Sequence, residues 1–303
     1  MSTAFGASTT ADQVLNGRDL TGKNMLITGC NAGIGFETAR SLAAHGAHVL
    51  VACRDLAKAN ETIARIRASH PNAQLSPVAL DLSSFASIRK AVASIDVDAL
   101  HVLICNAGLY MDKYTTTAEG IESTVGVCHH GHFLLTELLL DKLRKAAPAR
   151  VVMVASESHR YPAQLSLEHF PLNAHNFKSL VAYGQAKLAN VLFANELTRR
   201  YRAEGILSNS LHPGSMIGTS IFRNSFSAKL LGLAMRPFAK SIEQGAATTV
   251  YCATAPELSD VGGKYYRDCQ EHRMSRSARD ADLAKQLWDL TASFLAKHNA
   301  PQA

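Results

Sequence analysis

Short apolar runs recur along the chain, and between them lie longer stretches whose apolar residues return every three or four positions. Met25-Leu26-Ile27 is followed by a helical pattern from Phe36 to His45, then by a second run, Ala47-His48-Val49-Leu50-Val51-Ala52. Leu75 to Leu80, Leu100 to Cys105, Val151 to Ala155, Ile206 to His212 and Gly263 to Tyr266 continue the series as strands. Helical periodicity covers Ser84 to Ile95, a long stretch from about Ala118 to Lys145, Val181 to Arg202 and Ala246 to Ala253. Strand runs without a polar face suit burial on both sides, so the alternation predicts a parallel sheet covered by helices on both faces.

Between the first strand and the first helix stands Thr28-Gly29-Cys30-Asn31-Ala32-Gly33-Ile34-Gly35. Strand, glycine turn, helix and strand in that order make a dinucleotide site: the glycines permit a tight turn and close approach to a pyrophosphate, and the helix N-terminus presents free N–H groups to it. Gly29, Asn31, Gly33, Ile34 and Gly35 are the expected contacts. The fold class is therefore α/β, a Rossmann-type doubly wound parallel sheet. The 303 residues, 47% hydrophobic, suffice for one large core. No repeat, low-complexity tract or Pro/Gly-rich linker marks a second domain, so residues 18–303 are read as one unit. Met1 to Gly17 is small and polar and is expected to be weakly ordered.

A second constellation is Tyr183-Gly184-Gln185-Ala186-Lys187, with Ser156 upstream at the end of the run Val151-Val152-Met153-Val154. Positions four apart share a helix face, so the Tyr183 phenol and the Lys187 ammonium can sit over one site. The ammonium is expected to favour the phenolate and lower its pKa. A group that both gives and takes a proton suits hydride chemistry at a carbonyl.

Composition removes other classes. The net charge of +6 is modest and dispersed, which argues against nucleic-acid binding. Six cysteines (30, 53, 105, 128, 252 and 269) lack C-x-x-C spacing, which fits a reducing, cytoplasmic setting with neither zinc nor disulfides. Thirteen histidines include no H-E-x-x-H, and adjacent His129 and His130 are expected on different helix faces, so no metal site is expected. Met1 to Gly17 has no apolar run of signal or membrane length, and no membrane span is expected.

The ordered set T-G-x-x-x-G-I-G at Thr28 to Gly35, Asn106-Ala107-Gly108, Ser156, Tyr183 to Lys187 and Pro213-Gly214 resembles the short-chain dehydrogenase/reductase family over residues 19–270, and within it the retinol dehydrogenase-like members. The resemblance implies that Tyr183 is general acid in reduction and base in oxidation. Lys187 would tune the phenol and bind the nicotinamide ribose, and Ser156 would hydrogen-bond the carbonyl oxygen, with Ser158 its competitor. Asn106, Ala107, Gly108, Pro213 and Gly214 would border the cofactor. Asp81, beside Leu82, would accept from the adenine amino group; a helix N-cap is its alternative role. Homodimers or homotetramers through the two long helices are usual in the family.

One position departs from the family pattern N-H-x-G-H-F, because this chain has Cys128-His129-His130-Gly131-His132-Phe133. The family Asn helps to hold a water through its backbone carbonyl, which Cys128 also has. The change reads as slowing a proton relay; the alternative is a nucleotide-binding regulator or pseudoenzyme, or a thiol sensor at Cys128.

Ala52-Cys53-Arg54-Asp55 ends the second strand. Cys53 cannot accept from ribose hydroxyls, whereas Arg54 offers a fork suited to a phosphate, so NADP(H) is expected over NAD(H), even though Ala32 supplies no second basic group. Leu109 to Tyr114, Glu157 to Ala182 (with Tyr161, Phe170 and Phe177) and the apolar lid Ser215 to Lys240 would line a pocket for a hydrophobic ketone, aldehyde or alcohol.

Overall fold

The structure is a computed structural model, and it describes residues 5–161, 164–214 and 240–298. The sheet is built from β1 (Asn24–Thr28), β2 (His48–Cys53), β3 (Leu75–Ala79), β4 (Val102–Cys105), β5 (Ala149–Val154), β6 (Ile206–His212), β7 (Tyr265–Arg267) and β8 (Gln270–Glu271). Its order is β3-β2-β1-β4-β5-β6-β7-β8, all parallel except the final β7–β8 pair. The chain runs outward from β1 to β3 and then returns to the other side of β1 at β4. The crevice at the carboxyl ends of β1 and β4 is thus the switch point where such sheets place their ligands.

Alternate residues in each strand serve opposite faces. Met25, Ile27, Val49 and Val51 enter the core beneath α2 (Gly33–Ala44) and α3 (Leu56–Ser69). Leu26, Leu50, Leu103, Val151 and Met153 face the opposite layer. There they meet α4 (Phe85–Ala93), α5 (Gly131–Lys145) and α6 (Ser179–Tyr201). α7 (Ile242–Thr254) joins the first layer. Both strand faces are apolar because both are covered.

Three expectations need correction. The N-terminal segment is not weakly ordered from Phe5 onward: a short helix, α1 (Ala11–Leu15), starts on a Thr10–Gln13 capping box and buries Ala11, Val14 and Leu15. The long helix does not begin near Ala118. Thr117, Gly120 and Ile121 form a turn, and the helix starts as one turn at Ser123–Val125 whose N–H groups are capped by the Glu122 carboxylate. It continues through a π-helical stretch, Gly126–His130, into α5. The last strand is displaced to Tyr265–Arg267 and gains an antiparallel partner.

A C-terminal helix, α8 (Ala281–Lys297), was not anticipated and covers part of the face that α5 and α6 present together. Its Trp288 stacks on Phe193 at 5.4 Å and lies 4.6 Å from Phe133. His129 and His130 are both buried there, with ring centroids 5.2 Å apart, and His129 Nε2 lies 3.0 Å from Thr291 Oγ1. Among the described residues no helix is long and apolar enough to cross a membrane. The expected lid, residues 215–240, lies outside the described residues except for Lys240.

Candidate active site

The glycine turn closes by Gly29 N–H donating to Ala52 O at 2.8 Å, which joins the end of β1 to the end of β2. α2 then begins after Ala32, which makes no side-chain cap, so its leading N–H groups face the crevice uncapped. Gly35 is required by a close approach: a Cβ there would stand 2.2 Å from Gly29 O and 2.5 Å from Asn106 Nδ2. Asn106 Nδ2 in turn donates to Thr28 O at 2.8 Å and to Gly29 O at 3.2 Å, which binds the turn after β4 to the turn after β1. An uncapped helix end over a glycine cradle fits the pyrophosphate of a dinucleotide.

At the rim, Arg54 is exposed and Cys53 is buried. Asp55 caps α3 by accepting from Lys58 N–H at 2.8 Å, so this carboxylate belongs to the helix. A basic group that the motifs did not reveal comes from α3. Arg65 stacks its guanidinium 4.1 Å from the Phe36 ring centroid and donates to Asn31 O at 3.1 Å, within the glycine turn. The place left neutral by Ala32 thus has a cation nearby. Asp81 does not cap a helix: Ser84 does, while Asp81 Oδ1 accepts from Ser83 N–H at 2.9 Å and from its hydroxyl at 2.6 Å.

The catalytic candidates converge at the carboxyl end of β5. Tyr183 and Lys187 are buried on one face of α6, with Lys187 Nζ 5.5 Å from the Tyr183 ring centroid and donating to Val154 O at 3.0 Å. Ser156 follows that strand, close enough to the Tyr183 phenol for its hydroxyl to favour the phenolate. The competing Ser158 is not remote, since Ser156 Oγ donates to Ser158 Oγ at 3.2 Å. Gly184 allows the approach: a Cβ there would fall 1.5 Å from Tyr161 O. Tyr110 packs edge-on to Tyr183 at 5.7 Å, and Tyr114 meets Phe177 at 5.8 Å, which joins two of the expected lining segments.

The Tyr183 phenol does not titrate as expected. Burial pushes its pKa above the ordinary tyrosine value, and the nearby Lys187 ammonium and the Ser156 hydroxyl offset this only in part. The neutral phenol is therefore the resting form, ready to donate.

Cys128 lies fully buried in the π-helical stretch beside the Asn106-Ala107-Gly108 turn. An ideal Cβ on Gly108 would be 3.3 Å from Lys187 Nζ and 3.4 Å from Cys128 Sγ, so that turn roofs both side chains. The Cys128 carbonyl accepts from His132 Nδ1 at 3.0 Å. With its amide turned to serve two carbonyls, Asn190 also donates to Cys128 O at 2.8 Å and to Ala186 O at 3.2 Å. Pro213 and Gly214 follow β6 at the same end of the sheet, half-buried. The sequence showed His132 as a member of the N-H-x-G-H-F pattern without a role, and Asn190 only as a neighbour of Tyr183 to Lys187.

Fold and site together define a dinucleotide-binding α/β oxidoreductase. A sequence profile of the short chain dehydrogenase family matches residues 23–168. The chain is 45% identical over 305 residues to the WW domain-containing oxidoreductase of Danio rerio, covering 98% of this chain and 74% of that protein. It is 41% identical over 278 residues to retinol dehydrogenase 12 of Homo sapiens, covering 91% and 87% respectively. The solved structure of an uncharacterized protein from Mycobacterium paratuberculosis superposes with a TM-score of 0.76 at 31% identity, covering 97% of this chain and 98% of that one. A short-chain type dehydrogenase/reductase from Mycobacterium marinum, at 21% identity, a TM-score of 0.65 and coverage of 83% and 96%, shares the fold. The chain belongs to the short-chain dehydrogenase/reductase family, is retinol dehydrogenase-like within it, and uses a nicotinamide cofactor.

Proposed function

We propose that the protein interconverts a hydrophobic ketone or aldehyde and its alcohol by NADP(H)-dependent hydride transfer, with Tyr183 as general acid/base. The observation that carries this reading is the convergence of the buried Tyr183 phenol, the Ser156 hydroxyl and the Lys187 ammonium at the end of β5, with Tyr183 and Lys187 on one helix face. When bound, the nicotinamide supplies or removes the hydride. The chain's own groups do the rest.

Gly29, Asn31, Gly33, Ile34 and Gly35 would hold the pyrophosphate, Asp81 and Leu82 the adenine side, and Asn106 to Gly108 with Pro213 and Gly214 the nicotinamide side. Arg54 and Arg65 favour a cofactor that carries a 2′-phosphate, because each guanidinium can fork onto it at the open rim of the turn. In reduction, Ser156 donates a hydrogen bond to the substrate oxygen and polarises the carbonyl, and Tyr183 passes its proton to that oxygen. The Lys187 ammonium stabilises the phenolate left behind. In oxidation the phenolate takes the proton back. Tyr110, Tyr114 and Phe177 give the substrate side an aromatic wall suited to an apolar molecule. Any assembly of copies would use surfaces other than the part of α5 and α6 beneath α8.

The test is oxidation of NADPH and NADH, in parallel, by the purified protein against hydrophobic aldehydes and ketones, with Tyr183→Phe beside it. NADPH-preferring turnover that falls by about 100-fold or more in Tyr183→Phe is expected. Turnover unchanged by that substitution would remove Tyr183 from the mechanism, and equal use of NADH would remove the 2′-phosphate from the reading.

A further inference from the structure

We propose that His132 is a positioning residue that locks the nucleotide-binding turns to the catalytic helices through one directed chain of hydrogen bonds. His132 sits one turn beyond Cys128 on α5 and is wholly buried. Its ring turns back towards the preceding turn, as long side chains on helices do. Nδ1 lies 3.0 Å from the Cys128 carbonyl oxygen, which can only accept, so Nδ1 carries the proton. In the neutral ring Nε2 is then an acceptor, and Thr28 Oγ1 lies 2.9 Å from it. The Thr28 hydroxyl therefore donates to His132, the nearer acceptor, in preference to Ile104 O at 3.4 Å. Its oxygen is left to accept from Asn106 N–H at 3.0 Å and Ala107 N–H at 2.9 Å.

The direction of each link is set by its acceptors, although the Asn106 N–H is shared with Ile104 O at 3.0 Å. The chain starts at the turn after β4, passes the end of β1, and crosses His132 to the Cys128 carbonyl. From there Asn190, on the helix of Tyr183 and Lys187, closes it at 2.8 Å. The segment carrying Gly108, which roofs Lys187 and Cys128, thus takes its height from Thr28, and Thr28 takes its hydroxyl direction from His132. A side chain at position 132 must offer a donor on one side and an acceptor on the other. Gln offers both; Leu fills similar space and offers neither.

The assay of nucleotide affinity rests on the cofactor reading above, so it is paired with one that does not. In the nucleotide-free protein, His132→Leu is expected to speed amide hydrogen exchange at Asn106 and Ala107 by about tenfold or more, with exchange in β5 and β6 unchanged. NADPH binding, followed by its fluorescence, is expected to weaken by about tenfold in His132→Leu and by less than about threefold in His132→Gln. Thr28→Val breaks the same chain from the other end, so its effect and that of His132→Leu are not additive. It also stands in should His132→Leu fail to fold. Wild-type exchange at Asn106 and Ala107 in His132→Leu, or in Thr28→Val, would overturn the proposal. So would a Gln variant as impaired as the Leu variant at equal melting temperature. If the wild-type protein bound no reduced nucleotide, the cofactor reading would fail, and the exchange data would still decide the role of His132.

Discussion

Gly184→Ala puts the geometry of the site to its most direct test. The added Cβ would lie 1.5 Å from Tyr161 O, 2.6 Å from Tyr161 C and 3.0 Å from Ser158 O. To reach even 3.0 Å from the Tyr161 oxygen, α6 and the segment after β5 must part by a further 1.5 Å. That segment has little freedom to retreat. His159, wholly buried, has Nδ1 2.7 Å from Ser156 O and accepts from Ser275 N–H at 3.3 Å. The Tyr265 hydroxyl donates to Glu157 at 3.0 Å, and Arg160 Nη2 donates to Arg273 O at 2.6 Å.

Alanine is the better helix former by roughly 1 kcal/mol. An overlap with backbone exceeds that and costs about 1–3 kcal/mol after relaxation. The strain is shared between Tyr183 and Ser156, the groups that must meet at one oxygen. A misplacement of about 1 Å lowers turnover by about 100-fold. Steady-state kcat/KM with NADPH and a hydrophobic aldehyde should fall by about that factor. The NADPH dissociation constant should stay within about threefold, because the nucleotide floor is made by other segments. A variant that kept more than about a third of wild-type kcat/KM at an unchanged melting temperature would refute the claim that this contact sets the Ser156–Tyr183 geometry.

The remaining expectations are simpler. Arg54→Ala and Arg65→Ala should each weaken NADPH binding by about tenfold and leave NADH binding unchanged, read by titration of each nucleotide; equal losses for both would remove the 2′-phosphate role. Burial depresses His130, His132 and His212 from 6.5 to about 4, so each contributes stability that is full above the unfolded value and is lost as pH falls through the folded one. The denaturation midpoint should therefore drop between about pH 6.5 and about pH 4, by an order of 3 kcal/mol per group at the acid limit, and a flat profile there would contradict the assignment. Trp288→Ala should lower stability by about 3–5 kcal/mol in chemical denaturation, because the ring is sandwiched among Phe133, Phe193 and the Arg200 guanidinium at 4.8 Å.

Local pattern was enough for the strands, the doubly wound class, the glycine turn and the Tyr183–Lys187 face. Each of these follows from the period of apolar residues or from spacing within a single element. The end of β7, the start of the long helix and the packed N-terminal helix were misplaced, because a carboxylate cap at Glu122 and burial of Ala11, Val14 and Leu15 depend on neighbours far along the chain. α8 carries a local signal, an Asp280 cap and buried Ala284, Leu287, Trp288, Thr291 and Leu295 at helical spacing, and only the groove it fills depends on the fold. The net direction of the Tyr183 titration needed the fold as well. A sequence shows the ammonium four residues away but not the burial that outweighs it. Arg65 reaches Asn31 from another helix, and His132 joins Thr28 across a separation of 104 residues. Sequence by itself determined which groups could do chemistry; only the tertiary structure decided their protonation, partners and mutual height, because those depend on solvent exclusion and on contacts between segments that the chain brings together late.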